Sequence, residues 1–238
     1  MGVDFDAPAR GLEQIDAWLT GLVSGAPLVV ALGVACLLGL RHASDPDHLV
    51  AVTSLVAAEQ GDHRGAMRLG AWWGLGHAGT LLAVGMPLVL MGSQLPGWLE
   101  QGAERAIGLV VVLLAARVLV RWLRGEFRAR TTAPGGALGD GRPRLRSRRQ
   151  ALSIGVLHGV AGTGAVVVLL VAQLPSPLHA GLALLAFAPM SVLSMVVCTG
   201  GFAWSFTRPA LVPLYNSLLI PALGAFGLMF GTWYAGVL

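Results

Sequence analysis

Residues 28–57 read LVVALGVACLLGLRHASDPDHLVAVTSLVA, and this stretch decides the fold. Apolar residues 28–40 run into the polar block RHASDPDH (41–48), after which the apolar pattern resumes. As one helix these residues would extend roughly 45 Å, at about 1.5 Å per residue. The hydrocarbon core of a bilayer is only about 30 Å thick, so such a helix must tilt or break. The sequence marks the break: Asp45 suits an N-cap and Pro46 the first helical position. Two half-helices meeting near Ser44–Asp45 are therefore expected.

Ionisable residues inside a span are costly and point to function. Arg41 and Asp45 stand four apart and can neutralise each other. That leaves His42, Asp47 and His48, and two imidazoles with a carboxylate suit a borderline divalent ion such as nickel, cobalt or zinc. A break between His42 and His48 can turn both rings towards one point, which a straight helix does poorly. The same residues could also cap a helix end at the membrane surface as a solvated loop, and this alternative stays open at the level of sequence.

The rest of the chain fits a membrane setting. Of its 238 residues, 55% are hydrophobic and 12% charged, against about 25% charged in soluble domains. Mean hydropathy is +0.72. A soluble domain, a disordered chain and a disulfide scaffold are excluded. Cys36 and Cys198 lie in apolar stretches and read as packing residues. From Gln150 to Thr207 there is no Asp, Glu, Lys or Arg, which leaves room for two spans divided at Pro175-Ser176-Pro177. A further span fits after Arg208, one between Leu69 and Leu99, and one from Ala106 to Leu123, where Arg117 and Arg121 can snorkel. The expected fold is an all-α integral membrane protein with six spans, the first broken at the metal motif.

All 16 basic residues are arginine. The net charge of +4 and a pI near 10.0 therefore read as orientation in a lipid bilayer, with no nucleic-acid partner. Eight arginines fall in 124–149, which makes that loop cytoplasmic and sets both termini outside the plasma (inner) membrane. The expected organisation is an external amino-terminal segment (1–26), a first three-span half (27–123), the Arg-rich loop (124–149) and a second three-span half (150–238). Within the first segment, Leu12, Ile15 and Leu19 recur at the spacing of an interfacial helix. No basic stretch opens the chain, so no cleavable signal is expected. Residues 39–52 overlay 155–168, with Gly39 on Gly155 and His42 on His158. With an odd number of spans in each half, the halves insert in opposite directions, as in transporters built from inverted repeats.

Further candidates lie outside the motif. His77, in WWGLGHAGTLL, is flanked by Gly76 and Gly79, which would let its helix pack closely on the first span. It reads equally as a ligand or as a packing residue. His158 reads as a residue of the pathway or of the shell behind the ligands, together with Arg41 and Asp45, or as a packing residue. His63 and His179 read as solvated, and Trp72, Trp73, Trp98, Trp122 and Trp204 as interfacial anchors. A catalytic zinc held by His42, Asp47, His48 and His77 would instead make an intramembrane hydrolase. That reading lacks an HExxH motif and a glutamate placed as general base.

His42-x4-Asp47-His48 within GLRHASDPDHLVAV resembles the signature of the nickel/cobalt transporter family, and Leu75-Gly76-His77 resembles that family's second motif. The resemblance covers the first two spans. It implies metal handling by His42, Asp47, His48 and His77, transport of Ni²⁺ or Co²⁺ as substrate with no prosthetic group, and no enzymatic activity. Pro46 stands where the family has alanine, Thr53-Ser54 replaces an Asp-Asn pair, and LHGVAGTG and FAPMSV stand in place of the later acidic motifs. The His-Gly-x-Ala-Gly pattern looks more like the compact branch associated with urease maturation. The expected mechanism is alternating access to a midplane site. No phosphate-binding loop of the Walker type occurs, so any ATP coupling would call for a partner subunit; a cytoplasmic metallochaperone is the other partner this reading allows.

The orientation has a direct check. In a cysteine-free background, Gly136→Cys should resist an impermeant maleimide added to sealed cells and react once the membrane is opened. Labelling from outside would reverse the topology.

Overall fold

The computed structural model describes residues 18, 27–45, 47–52, 63–125, 148–205 and 212–237. Most of the amino-terminal segment, Pro46 and nearly all of the basic loop expected at 124–149 lie outside the described residues. Helices α1 (Leu28–His42), α2 (His63–Met91), α3 (Gly97–Leu123), α4 (Arg148–Gln173) and α5 (Pro177–Ser205) follow in order. The last, α6, runs through Val212–Leu214, a π-helical turn at Tyr215–Leu219, and Ile220–Tyr234. A short helical segment at 47–52 follows α1 directly. Among the described residues there is no strand.

Helices α2, α3 and α5 and the 18-residue part Ser217–Tyr234 of α6 are long and apolar enough to cross a membrane. The protein is thus a helical membrane protein. Helix α1 has only 15 residues, because the chain leaves the helix at the polar block.

The helix ends follow local chemistry. At the end of α2, Gly92 adopts φ 62°, a left-handed conformation that costs glycine little. Its N–H donates to Val89 O and that of Ser93 to Leu88 O, closing a Schellman turn. At the start of α5, the Ser176 hydroxyl accepts the His179 N–H at 3.3 Å, with Pro177 in the first turn. His179 Nδ1 also lies 2.6 Å from that hydroxyl, so His179 is tied to the cap and only half-exposed. Helix α3 starts at Gly97, earlier than the apolar run suggests. Its extra turns hold Glu100 in the first turn, where a negative charge meets the positive helix end.

Helix α1 packs on α5, α2 on both α4 and α5, and α3 on α6 and α4. Two of the apolar clusters in this arrangement frame its middle. One joins Ala31–Leu38 of α1 to Leu81 and Val89 of α2, Val167 of α4 and Leu184 and Phe187 of α5. The other joins Ala43, Ala51 and Val52 to Trp73 of α2, Ala151 of α4 and Met195 and Ala203 of α5. Helices α1 and α5 therefore run from the first cluster to the second, and α2 and α4 run the opposite way. His42, His77 and His158 lie along their helices between the two clusters.

Two glycines permit the closest helix approaches. A methyl on Gly39 would lie 2.5 Å from Phe187 O of α5, and one on Gly155 would overlap the Trp73 carbonyl of α2. Sequence reading placed the glycines around His77 against the first span. The structure corrects this: Gly76 faces the α4 backbone at Leu152–Val156, and Gly79 has no neighbour within 4 Å. Helix α2 leans on the second half of the chain, because that is where glycines on both partners let backbones meet.

Gly155→Val should accordingly destabilise the protein by at least roughly 1–3 kcal/mol, the usual range for overpacking, whereas Gly79→Ala should leave stability unchanged or slightly raised. Thermal unfolding in detergent distinguishes the two. Equal melting temperatures for Gly155→Val and wild type would contradict the packing described.

Candidate metal centre

The helical path of α1 ends at His42, and the chain turns through Ala43–Asp45 before the segment at 47–52. Several of the backbone groups freed there find partners. Ser44 N–H and Oγ both reach Arg41 O, at 2.8 and 2.6 Å. Ala43 N–H donates to Ser194 Oγ of α5 at 3.3 Å, and Leu49 N–H to Asp45 O at 2.9 Å. Asp45 O thus accepts the first helical bond of the second segment, as an N-cap residue does.

The break brings the motif's rings together. His42 and His48 have ring centroids 4.4 Å apart, and His77 of α2 stands 4.8 Å from the first and 5.3 Å from the second. His158 of α4 lies on the other side of His48, at 4.2 Å. His77 is 0% exposed and His48 and His158 are 2% exposed, so the solvated-loop alternative does not describe this structure.

Each aspartate bridges a ring and an outer donor. Asp45 pairs through one oxygen with Arg41 and through the other with His42 Nδ1, both at 3.1 Å. Asp47 contacts His48 Nδ1 at 3.1 Å and His158 Nε2 at 2.6 Å. An ionised carboxylate only accepts, so His42 and His48 donate from Nδ1 and His158 from Nε2. As neutral rings, His42 and His48 then carry their lone pairs on Nε2. His42 Nε2 accepts from His77 Nε2 at 2.9 Å. His48 Nε2 and His77 Nδ1 are buried without a hydrogen-bond partner.

His42, His48 and His77 each bring a potential ligand atom within 4.8 Å of the other two, and Asp47, His48 and His158 form a second group on the same criterion. A first-row ion with nitrogens at about 2.0–2.1 Å holds adjacent ligand atoms roughly 3 Å apart. His42 Nε2 and His77 Nε2 already have that separation, at 2.9 Å. Imidazole nitrogens suit nickel, copper, iron and zinc better than hard cations.

All seven side chains singled out in the sequence thus meet here: His42, Asp47, His48 and His77, with Arg41, Asp45 and His158 around them. His63, by contrast, is exposed at the start of α2. Trp73 corrects its expected role as an interfacial anchor. It is 0% exposed, with its ring 5.2 Å from His48 and 5.8 Å from His158, because it belongs to the cluster closing one side of the site. Phe187, 5.2 Å from His42, closes the opposite side. Phe187 and Ser194 had no signal in the sequence beyond membership of an apolar helix.

Residues 28–137 match the family model described as NicO, high-affinity nickel-transport protein. The chain is 28% identical over 213 residues to the urease accessory protein UreH of Bacillus sp. (strain TB-90), covering 87% of this chain and 91% of the relative. It is 33% identical over 110 residues to the high-affinity nickel transport protein of Cupriavidus necator, covering 45% of this chain and 31% of that protein. No solved structure matches.

The Arg41–Asp45 pair can be tested by substitution. The two side chains are 18% and 22% exposed, so Asp45→Asn should cost somewhat less than the roughly 3–5 kcal/mol seen when one partner of a fully buried pair is removed. Adding Arg41→Met should restore part of the melting temperature, since the partly buried guanidinium that lost Asp45 is then removed. A double variant less stable than Asp45→Asn would argue against the pairing.

Proposed function

We propose that this chain, whose residues 28–137 match the NicO family model, carries Ni²⁺ across the plasma membrane, with Co²⁺ as the competing substrate. The observation that carries this reading is the set of three imidazoles, His48 and His77 buried and His42 partly so, meeting where a helix is interrupted inside the bundle. Nitrogen ligands at a broken helix between two apolar layers are what a transported borderline cation needs: a site to shed water into, closed by packing that can open on either side.

The six-span architecture follows the same logic. Helices α1 and α4 run in opposite directions, as do α2 and α5, and the α1–α5 contact is matched by α4–α2. Exchanging the halves preserves these pairings, with Gly39 and Gly155 at equivalent contacts. This supports two inverted three-span repeats and rocking of one against the other. The eight arginines of 124–149 support a cytoplasmic connection with both termini outside. Delivery to a metallochaperone, or coupling to an energy-supplying partner, would occur on that cytoplasmic side. The hydrolase alternative gains nothing, since neither metal-capable group among the described residues contains a glutamate.

Uptake of radioactive nickel by cells expressing the protein tests the reading. His42→Ala, His48→Ala and His77→Ala should each reduce uptake by about tenfold or more while the protein still reaches the membrane. His63→Ala should stay near wild type. Wild-type accumulation by a variant lacking both His42 and His48 would sink the proposed site.

A further inference from the structure

His158 lies in the second half of the chain, 111 residues from Asp47, yet its Nε2 makes the shorter of that carboxylate's two contacts with imidazoles. We propose that His158 is a positioning residue for the cation: it braces Asp47, and through Asp47 it fixes which nitrogen of His48 faces the ion. The proposal rests on the reading of His42, His48 and His77 as the ligands.

Asp47 and His48 are neighbours in sequence, so the carboxylate can reach Nδ1 only while its own torsions are held. One contact to an adjacent ring leaves the carboxylate free to turn. A second contact on the far oxygen, at 2.6 Å, removes that freedom. His48 is thereby kept with Nδ1–H donated to Asp47 and with the buried Nε2 lone pair unpartnered. A carboxylate behind a ligating histidine fixes its tautomer and raises its basicity.

The first aspartate of the motif shows the same construction. Asp45 holds His42 Nδ1 with one oxygen and is braced on the other by Arg41. His158 does for Asp47 what Arg41 does for Asp45, but from a different helix. That helix is firmly seated. Gly155, one turn before His158, meets the Trp73 carbonyl, and a methyl on the next residue, Gly159, would come within 2.7 Å of His77 O. The brace therefore stands in fixed relation to α2, which supplies the third ring. When an ion takes the Nε2 lone pair, the His48 Nδ1–H becomes a stronger donor, and Asp47, held by His158, shares the added charge.

The test is isothermal titration of NiSO₄ into purified full-length protein in lipid nanodiscs. His158→Leu should weaken Ni²⁺ binding by roughly 10–100-fold, the usual cost of losing a partner behind a ligating histidine. His158→Gln keeps an N–H donor for Asp47 and should return affinity to within a few-fold of wild type. If the leucine variant does not reach the membrane, His158→Asn replaces it, since its shorter amide cannot span the contact. In an Asp47→Asn background, His158→Leu should add little further loss, because the group it acts through has already changed. Wild-type affinity in His158→Leu, losses as large in His158→Gln as in His158→Leu, or losses that multiply in the double variant would each overturn the proposal. The second of these would make His158 a direct ligand. Absence of Ni²⁺ binding by the wild-type protein would instead overturn the assignment of the three ligands, and the two failures are thus distinguishable.

Discussion

A carboxylate among apolar helices must find donors for both oxygens, because burying it unpaired costs more than a marginally stable fold can offset. Asp45 and Asp47 meet this constraint with Arg41 and His42 in one case and His48 and His158 in the other. Much of the surrounding architecture follows from it. Asp45 stays one turn beyond Arg41 and His42 as helix α1 ends, so its carboxylate reaches both. The next segment has to start at once, so that Asp47 and His48 point inward. Helix α4 has to approach α2 closely enough to deliver His158, and glycine at 155 makes that approach sterically possible.

Interrupting a helix inside a membrane protein frees backbone donors and acceptors that lipid cannot satisfy. The break is tolerated here because its own residues and a neighbouring helix take up that role. Ser44 closes on Arg41 O, Asp45 O receives Leu49 N–H, and Ser194 of α5 accepts the Ala43 N–H. Ser194 also donates to Ser191 O, so its hydroxyl both gives and accepts within the bundle. The break and helix α5 are therefore one structural unit, with Gly39 bringing their backbones together one turn earlier.

These relations were unequally legible in the sequence. The motif at 41–48 could be read because charge in an apolar run has a local cost that demands an explanation, and the i,i+4 spacing of Arg41 and Asp45 is itself local. His158 could be picked out through the internal overlay of 39–52 on 155–168, which put it opposite His42. Its bond to Asp47 could not, since that depends on the angle at which α4 crosses α2. Trp73 was misread for a related reason. A tryptophan near the end of an apolar run has the same local signature whether it meets headgroups or a neighbouring helix, and only the packing of α2 on α4 and α5 distinguishes them. Phe187 and Ser194 are ordinary members of an uncharged stretch, and their roles arise wholly from tertiary contact.

The hydrogen bond between His42 and His77 bears on how tightly such a site can hold its cargo. A carrier must bind a cation firmly enough to strip its water and weakly enough to release it. The His42 Nε2 atom that would coordinate the ion accepts a proton from His77 Nε2 at 2.9 Å. An ion arriving on His42 has to replace this bond, and His77 must present a lone pair either by turning its unpartnered Nδ1 towards the ion or by moving its proton there. Each route subtracts from the gross coordination energy, since a buried hydrogen bond is given up for every ion taken. A rigid cage of three lone pairs aimed at one point would bind more tightly and release more slowly. Two of the rings, His42 and His48, have their tautomers fixed by aspartates, while the third bonds, among the described residues, to another histidine. In the transport mechanism proposed, His77 is the ligand whose rearrangement would most directly couple cation binding to movement of α2 against α1.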